Sequence, residues 1–310
     1  ISTCLYTEEF LRMITFSELG KLGRLGNQFF QYSALRSLAL YHDYDMAIPN
    51  PNNKNWHGQN CLLNEFNLEC SYINPESIAL LRHLKTYREP NHMEYDEKFF
   101  DLEDGINLHG FFQSTLYFKH CEDQIKKELT PKDVYLQKAR KTINSIKETF
   151  PEHEVVSLHL RRGDNTNGSN SSKELNEMYG KTEKLDKNSF YGKYLTSALQ
   201  QFGGKKVKYL VFSGGLRFSG DDNESDIDWC KRNFKGKDFI FSKGNTTMND
   251  LSLIMSCDHN IISHISSFGW WAAYLNQNPD KSVIAPERYH PDMPEYTHRK
   301  GFYPENWTLV

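Results

Sequence analysis

The chain lacks an excess of charge of either sign: 37 Lys and Arg stand against 40 Asp and Glu, a formal net charge of −3. That balance argues against the basic face on which non-specific nucleic-acid binding depends. No apolar run approaches the roughly 18 residues a membrane-spanning helix requires. None of the six cysteines (Cys4, Cys61, Cys70, Cys121, Cys230 and Cys257) stands in a Cys-x-x-Cys pair, which argues against zinc or thioredoxin-like chemistry. Scattered cysteines in a chain this long read as free thiols of a reducing compartment. A P-loop and a Gly-x-Gly-x-x-Gly fingerprint are both missing, and there is no internal repeat. Ile1 opens the chain where a Met would be expected, so a removed leader or anchor stays open. Sequons at Asn167, Asn170, Asn223, Asn245 and Asn306 carry little weight in so Asn-rich a chain.

What is present is the length and apolar content of a soluble globular protein, 310 residues and 38%, more in keeping with two domains than one. The second half alternates. Strand-like runs at 155–160, 207–213, 238–242, 259–263 and 281–285 enclose helix-like stretches at 189–202, 226–234, 248–256 and 267–276. This rhythm predicts a doubly wound parallel α/β sheet. The first half is less regular: a short strand at 14–18, an amphipathic helix from Asn27 to Tyr41, a polar loop at 50–61, a strand at 106–112, a helix at 115–129 stopped by Pro131, and another at 132–149. Pro151 marks the expected domain boundary, giving an N-terminal α/β domain at 1–150, a C-terminal Rossmann-like domain at 151–290 and a tail at 291–310. Residues 164–188 have no apolar periodicity and read as a lid or binding loop.

Three segments carry chemistry. Val155 to Leu158 read as a buried strand running into His159-Leu160-Arg161-Arg162-Gly163-Asp164. In open α/β sheets ligands bind at the carboxyl ends of strands. Two guanidiniums there suit a diphosphate, because the Arg fork matches phosphate oxygens bidentately; the alternative is a surface pair neutralising Asp164 and nearby acids. Gly20 to Gln28 hold three glycines between a strand and a helix, a turn able to aim N–H groups at an anion or simply a tight turn. Ser266-Ser267-Phe268-Gly269-Trp270-Trp271 open a helix at a capping serine, with the tryptophans read as core.

Together these segments resemble glycosyltransferase family 11, the α-1,2-fucosyltransferase family. Gly23 to Tyr32 resemble its N-terminal signature and His159 to Asp164 its His-x-Arg-Arg-Gly-Asp motif. Gly110 to Ser114, Val211 to Ser213 and Ser266 to Leu275 resemble three further blocks, in order. The resemblance implies a GT-B-like fold, two Rossmann-like domains with the donor site in the cleft. It also implies GDP-fucose as donor, no metal or other cofactor, and inversion at the fucose anomeric carbon. By the same resemblance Arg161 takes the role of the arginine on the β-phosphate. Gly23, Leu25, Gly26, Asn27, His159, Arg162, Ser213, Asp222, Ser266, Ser267 and Phe268 take donor-binding places. Two departures stand out: Ile265 sits where many members have Asn, and Gly214-Gly215 follow the Phe-Ser strand end where acidic residues are frequent, with Asp221-Asp222 coming later.

Breaking the bond to GDP builds negative charge on the β-phosphate. Metal-dependent transferases meet it with a cation held by Asp-x-Asp; the two such strings here, Asp43-Tyr44-Asp45 and Asp226-Ile227-Asp228, read as structural, the second as an acidic first helical turn. Arg161 and backbone N–H donors serve instead. Asp164 is the first nominee for general base, with orientation of Arg161 or Arg162 as its alternative. His159 is the second nominee, with a buried hydrogen-bonded histidine as its alternative. The acceptor expected is a galactose-containing glycan, with Tyr179, Phe111, Phe112 and Trp56 as stacking candidates. The rival readings are another nucleotide-sugar transferase of the same fold and a non-catalytic carbohydrate-binding protein. The location expected is cytoplasmic, with a Golgi-lumen domain as alternative if an anchor was removed, in surface-polysaccharide or protein glycosylation.

Overall fold

A computed structural model of the chain describes residues 13–54, 61–73, 81, 84–92, 94–163, 185–214, 226–288 and 300–310. Cys4, Trp56, Asp164, Tyr179, Asp221 and Asp222 lie outside the described residues. The chain divides into two α/β units, the first up to Lys132 with residues 300–304, the second from Asp133 onwards with Glu305–Val310.

In the first unit, β1 (Ile14–Thr15), β2 (Met46–Pro49), β3 (Ser71–Ile73), β4 (Lys85–Arg88) and β5 (Ile106–His109) form a wholly parallel sheet in the order β3-β2-β1-β5-β4. The order reverses between β1 and β5. Helix α1 (Leu25–His42) buries Leu25, Phe29, Phe30, Tyr32, Leu35 and Leu38. It ends at Asp43, whose left-handed backbone returns its N–H to the Ala39 carbonyl, a C-terminal arrangement that satisfies an orphan carbonyl. Helix α2 (Glu122–Glu128) closes on a buried carboxylate. Glu128 accepts from Arg36 Nε at 3.0 Å, from Gln124 at 2.7 Å and from the Tyr32 hydroxyl. These charge-assisted partners make its burial tolerable.

The second unit opens with helix α3 (Asp133–Thr149) and continues β6 (Glu154–Arg161), α4 (Phe190–Gln200), β7 (Val207–Gly214), α5 (Asp226–Asn233), β8 (Phe239–Phe241), α6 (Thr247–Met255), β9 (His259–Ile261), α7 (Ser267–Tyr274), β10 (Val283–Ala285) and β11 (Thr308–Leu309). Its six strands are all parallel and lie in the order β8-β7-β6-β9-β10-β11. This is the doubly wound order of dinucleotide-binding sheets, with the reversal between β6 and β9. Ser189, Thr246 and Ser266 cap α4, α6 and α7 through the N–H groups of Gly192, Asn249 and Gly269. The core gathers Val156, Leu158 and Leu160 of β6 with Tyr191, Leu195, Val211, Trp229 and Ile261. The expected GT-B-like pair of Rossmann-like α/β domains is thus met by two parallel-sheet units.

The domain limits differ from the expected ones. Helix α3 packs on α6 and β6, and its Lys147 pairs with Asp258 at 2.6 Å. The other oxygen of Asp258 accepts the Val155 N–H at 2.8 Å. The division therefore falls before Asp133 rather than at Pro151. Nor is 291–310 one tail: Gly301 and Phe302 meet Thr115 and Phe30 of the first unit, while β11 pairs with β10. The helix expected at 115–129 is two 3-10 turns followed by α2, and the strand expected at 106–112 stops at His109. The five described cysteines are thiols. No helix among the described residues is long and apolar enough to cross a membrane.

Candidate active site

The second sheet reverses between β6 and β9, and the residues singled out by sequence cluster at the carboxyl ends of those two strands. A side chain stitches the ends together: the Arg161 N–H donates to Ser263 Oγ at 2.9 Å. Beyond Ser263 the chain runs into the cap Ser266 and helix α7. On the other side of β6, Ser213 Oγ donates to the Leu160 carbonyl at 2.8 Å. The Arg161 guanidinium is anchored through Nη1 to the carbonyls of Gly214, 3.0 Å, and Arg162, 3.1 Å. His159, Arg161, Ser213, Ser266, Ser267 and Phe268 are thus drawn to one edge of one sheet, beside a helix N-terminus.

His159 is 6% exposed. Burial, with the Arg161 charge beside it, pushes its pKa down to about 3. It is a neutral imidazole at physiological pH, and so weakly basic a group has little driving force to take a proton from a hydroxyl. Its buried Nδ1 has no hydrogen-bond partner among the described residues. The ring lies against the first turn of α7, 5.8 Å between centroids from Phe268. A Cβ built on Gly269 would stand 2.6 Å from Nδ1. Gly269 is therefore what lets the helix end come down onto the histidine. Just before the cap, Ile265 holds φ +48°, a left-handed conformation that is an outlier for a β-branched residue and costs on the order of 1–3 kcal/mol. Asn tolerates such a backbone better.

The two arginines do not share a target. Arg162 is 7% exposed; its Nε lies 3.4 Å from Asp226 Oδ1 and its guanidinium carbon 3.7 Å above the Trp229 ring. Asp226 Oδ2 also accepts the Gly163 N–H at 3.0 Å. Arg162, expected among the donor-binding residues, has its guanidinium packed against α5, where a carboxylate and an indole face offset part of the cost of its burial. The reading of Asp226-Ile227-Asp228 as structural agrees with this, since Asp226 is buried in that pair.

In the first unit, Gly23 (φ +83°) precedes the start of α1, whose N-cap Arg24 makes no side-chain cap bond. Leu25 and Gly26 are buried. Asn27 Oδ1 accepts from Gln113 Nε2 at 2.9 Å. Phe112 is fully buried among Phe16, Phe99 and Tyr117, which removes it from the stacking candidates. Ser263, Gly214, Gly269 and Asp226 were not singled out as site residues. Only their packing reveals them, although Ser263 closes the strand-like run expected at 259–263.

The family model of glycosyl transferase family 11 matches residues 8–310. The chain belongs to glycosyl transferase family 11. This family 11 chain is 24% identical over 307 residues to the O-antigen biosynthesis glycosyltransferase WbnK of Escherichia coli, covering 86% of this chain and 92% of that protein. It is 27% identical over 266 residues to galactoside alpha-(1,2)-fucosyltransferase 1 of Bos taurus, covering 82% of this chain and 64% of that one. The chain thus spans less than two thirds of the length of that galactoside relative. Among solved structures, fucosyltransferase NodZ from Bradyrhizobium superposes with a TM-score of 0.48 at 12% identity, over 84% of this chain and 92% of that one. The family 11 chain is a glycosyltransferase.

Proposed function

We propose that this transferase moves L-fucose from GDP-fucose to a glycan hydroxyl, the 2-OH of a galactose, with inversion and without a metal ion. The observation that carries the reading is the stitched strand pair: Arg161 and the Ser266 helix N-terminus meet at the reversal point of a doubly wound sheet, bridged by Ser263. A nucleoside diphosphate fits such a place because oriented N–H groups, the helix dipole and a guanidinium all favour negative charge. Support for the sugar and the linkage comes from the mammalian relative, named a galactoside alpha-(1,2)-fucosyltransferase. The bacterial relative's name, which gives O-antigen biosynthesis, favours a surface polysaccharide as the acceptor.

In this mechanism Arg161 and the first turn of α7 stabilise the charge that builds on the β-phosphate as the C–O bond breaks. One preorganised donor of this kind is worth on the order of 10²–10³ in rate. The neutral His159 walls the site and orients the donor without carrying a charge that competes with Arg161. Attack comes from the face opposite GDP. Asp164 is the proposed base; Asp226 already provides Arg162 with a carboxylate partner. Gly23 and Asn27 are proposed as donor contacts as well, and Ser213 and Asp222 are proposed on the nucleotide side.

The test is thermal unfolding with GDP, UDP, ADP and CMP, each with and without EDTA. A ligand at about 100 times its Kd adds about 2.7 kcal/mol of stability. The expected result is a shift with GDP alone, unchanged by EDTA. A shift with another nucleotide, or one lost in EDTA, overturns the donor or the metal-free reading. No shift with any nucleotide overturns the reading of this strand end as the donor site.

A further inference from the structure

The first sheet has its own reversal point, between β1 and β5, and a carboxylate outside the proposed chemistry is bolted beside it. Glu89 follows the last residue of β4 and continues its ladder, donating its N–H to the His109 carbonyl at 2.9 Å. Its Oε2 accepts the Phe111 N–H at 2.6 Å and its Oε1 the Phe112 N–H at 2.9 Å. The clamp is tight: a Cβ on Gly110 would stand 2.5 Å from Glu89 Cβ. Phe112 holds φ +51°, a strained conformation for a bulky residue. Two hydrogen bonds to an ionised carboxylate, about twice as strong as neutral ones, together with burial of the Phe112 ring, hold that conformation in place.

The clamped turn leads directly to Gln113, whose Nε2 donates to Asn27 Oδ1 at 2.9 Å. Gly110 is gripped from the same side, its carbonyl accepting from Gln31 Nε2 at 3.1 Å, while that nitrogen also donates to the Leu22 carbonyl at 2.9 Å. So the two segments that leave the sheet on either side of the reversal, the glycine-rich turn after β1 and the turn after β5, are tied twice. At such a reversal an α/β sheet opens its ligand crevice.

We propose that Glu89 is a positioning residue of this transferase: by clamping the Phe111 and Phe112 N–H groups it fixes Gln113, and through Gln113 the Asn27 side chain at the first turn of α1. The inference rests on the proposed function, in which Asn27 touches substrate. In this role Glu89 acts through its bonds to the Phe111 and Phe112 N–H groups.

The experiment compares wild type, Glu89→Gln, Gln113→Leu and the double variant. Glu89→Gln keeps the size of the side chain but offers only one acceptor oxygen to two N–H groups. Each is measured for kcat and KM with GDP-fucose, for GDP binding and melting temperature, and for backbone hydrogen exchange of the free protein. The expected result is a loss of about tenfold or more in kcat/KM in each single variant, with no further loss in the double, because a group acting through another is not additive with it. Exchange protection should fall in 23–28 and 111–113 and stay unchanged in 207–214. A Glu89→Gln protein with a lower melting temperature but wild-type kcat and KM overturns the proposal and leaves Glu89 a stabilising residue. Unchanged exchange at 23–28 overturns it as well. If wild type neither binds GDP nor turns over GDP-fucose, the proposed function fails, while the exchange comparison still decides whether Glu89 holds the Asn27 segment.

Discussion

Replacing Gly269 by alanine tests the contact that joins helix α7 to strand β6. The added methyl would lie 2.6 Å from His159 Nδ1 and 3.2 Å from the ring carbons Cγ and Cε1. An ordinary contact needs about 3.5–4.0 Å, so ring or helix must shift by roughly 1 Å. The ring has nowhere cheap to go, since His159 is buried in the sheet with Phe268 beside it. Overpacking of this kind costs about 1–3 kcal/mol. Alanine returns at most about 1 kcal/mol of helix propensity, less in a first turn. The net loss is about 1–2 kcal/mol, or about 3–6 °C for a unit of this size. A displaced helix end also misaims N–H groups, so GDP affinity should fall about tenfold or more, beyond what lost stability explains. Calorimetric unfolding and GDP titration on Gly269→Ala, His159→Ala and the double variant measure both effects. Because the smaller side chain makes room for the methyl, the two substitutions should couple by 0.5 kcal/mol or more. A Gly269→Ala protein with wild-type melting temperature and GDP affinity would refute the argument, as would strictly additive variants.

Arg161→Lys should keep the fold and lose on the order of 10²–10³ in turnover, since a point charge cannot replace the fork; single-turnover transfer from GDP-fucose is the assay, and near wild-type rates would remove Arg161 from the chemistry. Asp226→Ala removes the carboxylate beside the buried Arg162 Nε and the carboxylate oxygen that accepts the Gly163 N–H. It should cost about 3–5 kcal/mol by urea unfolding, equally with and without divalent cations; a cation-dependent difference would instead make the Asp-x-Asp string a metal site. The pH profile follows from His159, which is neutral when folded and titrates near 6.5 when unfolded. Its contribution is fully present above pH 6.5 and is lost as the pH falls toward 3, about 2 kcal/mol of it by pH 5. His159→Asn should flatten that part of the urea-midpoint profile, and an identical slope in both proteins would count against the buried neutral state.

The second sheet was legible because its strands are buried on both faces and therefore written as apolar runs, as from Val155 to Leu158. Its helices announce themselves with Ser189, Thr246 and Ser266 at their caps. The first sheet was half hidden. In β4, Lys85-Thr86-Tyr87-Arg88 is an edge strand with three exposed residues, and β3 exposes two of three, so neither carries the apolar signature of a strand. β11 is two residues long and is held by a partner distant in sequence. At the site, the motif placed Arg161 and His159 at a strand end. It could not say that neighbouring guanidiniums diverge, because that depends on Asp226 and Trp229 arriving from another helix. Nor could Glu89 be found from spacing, since its partners are backbone N–H groups, which any sequence supplies.

The return of the chain near its last residues has a consequence for how such enzymes can be recombined. Residues 300–304 finish the first unit and 305–310 supply the edge strand of the second, so neither unit is a contiguous cassette. Grafting one unit from a relative demands three splice points, at 132/133, 297/298 and 304/305. A single crossover leaves Phe30 without the ring of Phe302, or leaves β10 with a bare edge of unpaired N–H and C=O groups, an invitation to aggregate. Exchange of specificity within this architecture is therefore simpler by point substitutions and loop replacements than by a single crossover.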